Sequence, residues 1–413
     1  MIVHSIKQNI RGDECRISAQ ITYDRPHTNI PDRLWFNFPA QYAPAEISRG
    51  DAFLTALLLP AMCLGENIRI EGVVSPRLLV GLDTYRHTFC TWLPHLYPAQ
   101  IGYAEASEAP GLQSGTLCAS AFSGGVDSFF TLRSNLPDAQ PLEKYRITHC
   151  LLAQGLDISL VDPQFDDLVR CYKKELSALG VELIPLRTNV HAFTTGRLDW
   201  AFAHGSALIA LAQALGSSLA RFYVPSSYCT FDLVPWGSSP VIDHLLSTET
   251  LEVIHHAAGV QRLQKLETIS DLPVAQRSLR VCTNDKKRRG VENCGVCEKC
   301  LRTMTMLKVI GKLDAFETFP KPFPAWRILT WVPEGEIHDY WASSSIRYTR
   351  CNHRRGLLPF LWFAHLTGWL KDFLRSLIPA PVLKFLKRYL YPPEKSSFSH
   401  AYLERFSSEE DRY

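Results

Sequence analysis

Neither sign of charge dominates this sequence: 44 Lys and Arg face 41 Asp and Glu in 413 residues, a formal net charge of +3. That balance excludes a whole-molecule electrostatic grip on nucleic acid, which needs a broadly basic surface. Long hydrophobic runs are also missing. The longest, Leu357 to Leu370, has 14 residues and is broken by Pro359 and His365, short of the ~18 needed to span a bilayer. The opening Met1-Ile-Val-His-Ser-Ile-Lys-Gln-Asn-Ile is mixed from its start and offers no signal-peptide core. Cysteine is not scarce, with twelve in the chain. Eight of them, Cys15, Cys63, Cys90, Cys118, Cys150, Cys171, Cys229 and Cys351, sit singly in apolar or mixed contexts and read as buried reduced thiols. These features together give a cytoplasmic expectation.

The length allows two or three domains. Residues 1–112 read as an accessory α+β domain. Its strands are Met1 to Ile10, Cys15 to Tyr23, the alternating Arg33-Leu-Trp-Phe-Asn-Phe, Asn67 to Val73 and Ile101 to Ala104. Its helices are Asp51 to Leu64 and one started by Pro76 that runs towards Trp92. No catalytic cluster is visible there. Arg49 and Asp51 read as capping and solvated groups rather than ligand contacts, and the domain reads as a recognition or dimerisation module. A turn-rich linker, Ala109 to Gly115, follows.

Residues 113–318 alternate strands with helices: Leu117 to Phe122, Tyr145 to Ala153, Gln164 to Gly180, Val181 to Arg187, Leu198 to Gly216 and Arg221 to Pro225. Such alternation implies a parallel sheet covered by helices, with ligands at the carboxyl ends of the strands. The long helix from Leu198 is rich in alanine and glycine, which permits close packing. After the first of these strands comes Ser123-Gly-Gly-Val-Asp-Ser128 and then a helix. Adjacent glycines let the backbone curl so that its N–H groups converge, and the helix start adds its positive end. The turn is a cradle for polyphosphate, with hydroxyl donors at Ser123 and Ser128 and with Asp127 placed to hold a metal ion or fix the loop. No Gly-Lys-Ser/Thr follows the glycines, so this is not a Walker A loop.

Other strand-end groups form a candidate substrate shell. Asp157 suits a ribose or a substrate amine, or else an Asx turn or helix cap. Arg187 suits a carboxylate or phosphate, or else a solvated strand end. Trp236-Gly-Ser-Ser-Pro240 reads as a loop shaping a pocket. Arg262 and Lys265, at i and i+3, can stabilise phosphate charge or form a plain basic helix face. Further on, Cys282, Cys294, Cys297 and Cys300 are spaced Cys-x11-Cys-x2-Cys-x2-Cys. Four thiolates so spaced can wrap one tetrahedral ion as a closed structural zinc site. An iron–sulfur cluster shares the same ligands, and a redox dithiol needs only two of them.

Ser-Gly-Gly-x-Asp-Ser after an apolar strand resembles the PP-loop of the N-type ATP pyrophosphatases. Adding the Cys-Gly-x-Cys-x-x-Cys with its upstream cysteine, the chain resembles the 7-cyano-7-deazaguanine synthase branch over residues 117 to about 312. The segments that shape the deazaguanine pocket there find no equivalent here. The resemblance implies a parallel five-stranded PP-loop core of α/β class with a zinc-binding segment. It implies an ATP-dependent ligase-type enzyme that activates a carboxylate or amide oxygen as an acyl-adenylate, releases pyrophosphate, and passes the acyl group to ammonia or an amine. ATP and Mg2+ are then held by Ser123, Gly124, Gly125, Val126, Asp127, Ser128 and Asp157. Catalytic work falls on Ser123, Asp127, Ser128 and Arg187, and Zn2+ on the four cysteines. Relatives with extra domains in bacterial antiphage defence imply a protein or other acceptor.

Two other functions stay open. One is an ATP-sensing scaffold subunit without turnover. The other is a sulfur-transferring or tRNA-thiolating enzyme, for which Cys229 is the candidate thiol. A homodimer or partner subunit is expected, and nucleic acid is not, although Lys286-Lys-Arg-Arg289 is basic. Residues 319–413 form a basic, aromatic, helical C-terminal extension suited to docking or to peripheral membrane contact.

Overall fold

The computed structural model describes residues 1–44, 49–108, 115–230, 233–282 and 290–323, with Ile346, Trp362 and Leu366. The basic run 286–289, most of the 109–115 linker and the C-terminal extension lie outside the described residues. These residues fall into two compact units. Among the described residues, one unit comprises Met1–Ser123 and Thr131–Gly259, and the other Gly124–Phe130 and those that follow Gly259.

The first unit is built on a sheet of ten strands: β1 (Ile2–Arg11), β2 (Glu14–Thr22), β3 (Arg33–Pro39), β4 (Ile68–Val74), β5 (Ile101–Ala106), β6 (Leu117–Ala121), β7 (His149–Gln154), β8 (Glu182–Thr188), β9 (Leu219–Pro225) and β10 (Glu252–His256). Their order is β10-β9-β6-β7-β8-β3-β2-β1-β4-β5. The pairs from β10 to β8 are all parallel. The sequence reading set a five-strand core apart from the N-terminal α+β segment, whereas the structure has one sheet of ten. The join is β3, which runs antiparallel to β8 through Phe36 opposite Thr188 and Asn37 opposite Arg187. Asn189 cements it, accepting from Trp35 N at 3.1 Å and donating to Arg33 O at 2.8 Å.

Side-chain periodicity explains the two kinds of strand. In β2, Cys15, Ile17, Ala19 and Ile21 are buried in alternation with half-exposed neighbours, as in a sheet with one covered face. In β7, His149, Cys150, Leu151 and Leu152 are buried in succession, which fits a strand covered on both faces.

Helices pack on this sheet. α1 (Asp51–Leu64) is apolar nearly all round and ends on the left-handed Gly65. α2 (Pro76–Trp92) starts with Ser75, whose hydroxyl accepts from Leu78 N, and with Pro76 at its first position. α4 (Phe165–Ser177) buries Phe165, Leu168, Tyr172 and Leu176 on one face. α5 (Trp200–Ala214), capped by Asp199, uses its small residues for backbone contact. At Gly205 an added Cβ would fall 1.9 Å from Gly237 O. Gly205→Ala is therefore expected to displace the 237–240 loop and lower stability by about 1–3 kcal/mol, through overpacking against backbone. Urea unfolding measures it, and an unchanged midpoint would refute the contact.

α3 (Val126–Ser134) follows β6 in the chain. The second unit holds α6 (Arg262–Ile269), α7 (Pro273–Ser278) and α8 (Glu298–Val309). Leu263, Leu266, Val274, Leu301, Met304 and Phe316 are among its buried side chains. Among the described residues no helix is long and apolar enough to cross a membrane.

Candidate functional site

In the turn after β6, Gly124 adopts φ +74°, a left-handed backbone that side chains disfavour. Its carbonyl accepts from Arg280 N at 2.8 Å. Gly125 O accepts from Phe129 N at 3.0 Å and from the Ser128 hydroxyl at 2.9 Å. Ser128, expected as an outward hydroxyl donor, thus uses its proton within the turn.

Asp127 sits in the first turn of α3. Arg262 Nη1 lies 3.0 Å from its Oδ2, and Lys265 Nζ 3.0 Å from its Oδ1. Lys265 is only 2% exposed. Burial pushes the Asp127 carboxyl up, but Lys265 and Arg262 outweigh it and hold the group below the usual carboxylate range. The sequence offered Arg262 and Lys265 as phosphate contacts or a basic face. The structure makes them the partners of Asp127, and the role it gives Asp127 is that of a fixed anchor.

The strand-end residues of the first unit are engaged with protein groups. Arg187, expected to meet a substrate carboxylate or phosphate, donates to Gln154 Oε1 (3.0 Å), Asp166 Oδ1 (2.7 Å) and Glu14 Oε1 (3.3 Å), with its guanidinium 5.3 Å from the Phe165 ring centroid. Acids on β2 and α4 surround it, so its charge is already matched. Asp157 accepts from Trp200 Nε1 at 2.7 Å, and Trp200 stacks on His191 with centroids 4.1 Å apart. His204 contacts the Trp236 ring edge-on, and Trp236 in turn meets Tyr228. Burial pushes the His191 and His204 imidazoles down in pKa, against nearby Asp157. Neither histidine was singled out from the sequence, where a lone histidine on a helix carries no spacing signal.

Asp243 is buried and accepts from Ser238 Oγ (2.7 Å), Ser239 N (3.2 Å) and His255 Nδ1 (2.7 Å). It therefore closes the 238–243 loop on β10. Cys229 is buried. Asp51, expected as a solvated or capping group, is buried instead and accepts from Arg49 Nε (2.7 Å) and Ser75 N (2.8 Å). Burial pushes its carboxyl up, and Arg49 works against this.

Cys282, Cys294, Cys297 and Cys300 converge, with all four sulfurs within 4.8 Å of one another. The Cys294–Cys300 separation is 3.8 Å and the Cys282–Cys297 separation 4.0 Å. A tetrahedral ion with ~2.3 Å metal–sulfur bonds requires sulfurs ~3.8 Å apart, so the group can hold a metal such as zinc. The local chain accounts for the fit. Gly295 at φ +67° turns the Cys-x-x-Cys. The N–H groups of Val296 and Cys297 point at Cys294 Sγ, at 3.5 and 3.3 Å. Cys297 is the N-cap of α8 and Cys300 lies in its first turn.

Asn293 braces the site. Its Oδ1 accepts from Val281 N and Cys282 N, and its Nδ2 donates to Leu279 O and Thr318 Oγ1. No sequence pattern marked it. The neighbouring sulfurs of Cys282 and Cys297, and then burial, push the Cys300 thiol up; a bound divalent cation reverses this by favouring thiolate. Asn293→Ala is expected to weaken metal retention ~10-fold or more, as loss of outer-shell bracing does. Competition with a chromogenic chelator reads this, and wild-type retention would remove the bracing role.

No family model, no curated protein and no solved structure matches the chain.

Proposed function

We propose that the protein is an ATP-dependent adenylating enzyme of the N-type ATP pyrophosphatase kind. It activates a carboxylate or amide oxygen on the α-phosphorus of ATP, releases pyrophosphate, and passes the acyl group to ammonia or an amine. The observation that carries the reading is the Ser-Gly-Gly-Val-Asp-Ser turn, with Gly124 left-handed, directly after β6. In the strand order β6 lies between β9 and β7. Successive crossovers diverge there, and open α/β sheets bind nucleotides at the carboxyl ends of such strands.

Lys265 and Arg262 together exceed the charge of Asp127 by one, and that excess would favour a leaving diphosphate. Ser123, Gly124, Gly125 and Val126 would contact the phosphates. Mg2+, when bound, would neutralise the nucleotide's charge. The chemistry needs no protein nucleophile, since positioning and charge compensation suffice. The cysteine group, with four protein sulfurs and no open position, is assigned to structural zinc. Arg187, matched by three protein acceptors, has no catalytic part in this scheme.

The test incubates the full chain with ATP labelled in its α-phosphate and a panel of carboxylates plus ammonia. AMP and pyrophosphate are expected, and ADP with phosphate would refute adenylation.

A further inference from the structure

The cysteine group and the 124–128 turn both lie in the second unit, and one stretch of backbone, 279–282, touches both. It follows α7 directly. Arg280 N donates to Gly124 O at 2.8 Å. Val281 N and Cys282 N donate to Asn293 Oδ1 at 2.8 and 3.0 Å. Leu279 O accepts from Asn293 Nδ2 and from Thr318 Oγ1, each at 2.8 Å. Cys282 then supplies a sulfur to the cysteine group. Leu279, Val281, Cys282 and Asn293 are buried, so water does not stand in for these bonds. The donor to the turn is two residues from the metal ligand, a reach of at most roughly 7 Å.

Peptide planarity turns this contact into control of the turn. The Gly124 carbonyl and the Gly125 N–H share one rigid plane and point in opposite directions. Holding the carbonyl on Arg280 N therefore sets the direction of the Gly125 N–H. Gly124 does not fix that direction by itself, since its φ of +74° is one that glycine enters and leaves freely. A bound metal fixes the Cys282 sulfur, and with it the donor two residues earlier. We propose that metal occupancy at the four cysteines is coupled through the 279–282 backbone to the affinity of the turn for a nucleotide's phosphates, with the Arg280 N–H as the positioning group. The affinity half rests on the reading of the turn as a phosphate cradle; the structural half, from metal to turn, does not. Couplings between sites commonly amount to about 5- to 150-fold in affinity, and about tenfold is expected here.

Amide exchange is followed by NMR in the metal-loaded and the metal-stripped full chain, below the first unfolding transition of the stripped form. The Arg280 and Phe129 amides, whose acceptors are Gly124 O and Gly125 O, are expected to exchange about tenfold faster after stripping. Those of Leu266 and Ile269 in α6 should hold. Unchanged rates at Arg280 and Phe129 overturn the coupling, and so does an equal rise in α6, which marks general loosening of the unit. MgATP without any carboxylate is then titrated by calorimetry, and should bind the stripped chain about tenfold more weakly. Arg280→Pro removes the N–H donor and should bring the loaded and stripped affinities together, whereas Arg280→Ala keeps the donor and the ratio. The same ratio in Arg280→Pro as in wild type overturns the route. Equal affinities in loaded and stripped wild type overturn the coupling and leave the cradle standing; no binding to either form removes the cradle, and the affinity half with it. The exchange rates decide the structural half even if Arg280→Pro does not fold.

Discussion

Stripping the metal from the full chain, or replacing Cys300 by Ser, is expected to lower the stability of the second unit by at least ~3 kcal/mol. Isolated zinc-finger peptides owe on the order of 10 kcal/mol to their ion. Here a buried apolar set including Leu301, Met304 and Phe316 shares the work, so the loss is smaller. It remains large because two pieces of chain converge at the sulfurs and at Asn293: the segment ending at Cys282, and the 294–297 turn that runs into α8. Without the ion, four crowded thiols replace a neutralised cluster, and α8 loses its anchor at Cys297 and Cys300. Calorimetric scans before and after chelation, with elemental analysis of the chain, check this. One zinc per chain and a lower first transition are expected. Complete metal loss with an unshifted transition would mean the cysteines brace nothing, and iron with visible absorption would replace zinc by a cluster.

What could be read beforehand follows from how local each signal is. The bounds of α1 follow from a contiguous apolar block with Gly65 behind it, and those of α2 from Ser75-Pro76; each needs only neighbours in sequence. The cysteine group was legible for the same reason, since three of its four ligands span seven residues. Long-range choices were not legible. Antiparallel pairing of β3 with β8 joins residues about 150 apart through Asn189 and backbone, and period-two alternation names no partner strand. Arg187 looked available because its acceptors come from β2 and α4 and are invisible in the sequence around it. The same holds for Asp127: the apolar strand and two glycines mark the turn, but only folding brings Arg262 and Lys265, over 130 positions later, to its carboxylate. Asp51, charged and near a helix start, looked solvated, and burial between Arg49 and Ser75 is a tertiary outcome.

Asp127→Ala is expected to destabilise the second unit by about 3 kcal/mol, before any effect on catalysis. The substitution leaves the ammonium of Lys265, 2% exposed, without its carboxylate partner, and removing one side of a buried ion pair costs about 3–5 kcal/mol. Solvent contact at the Arg262 side places the value at the lower end. Lys265→Met alone should cost less, since Arg262 still faces the carboxylate. The double variant Asp127→Ala, Lys265→Met should recover part of the loss, because the stranded charge is gone; a thermodynamic cycle isolates that coupling. The pH dependence has a definite sign. The folded carboxyl is held below its ordinary value near 3.9, so the contribution is complete above that value and fades as pH falls through the depressed folded one. Wild type and Asp127→Ala should therefore differ fully at neutral pH and converge in acid. Urea unfolding at pH 7 and pH 3 supplies both numbers. Equal stability at pH 7 would free Asp127 from a structural duty, and any loss of pyrophosphate release in that variant would then report on chemistry alone. A stability loss in Asp127→Ala obliges the catalytic test to use Asp127→Asn, whose single amide oxygen can accept from Lys265 or Arg262 but not from both.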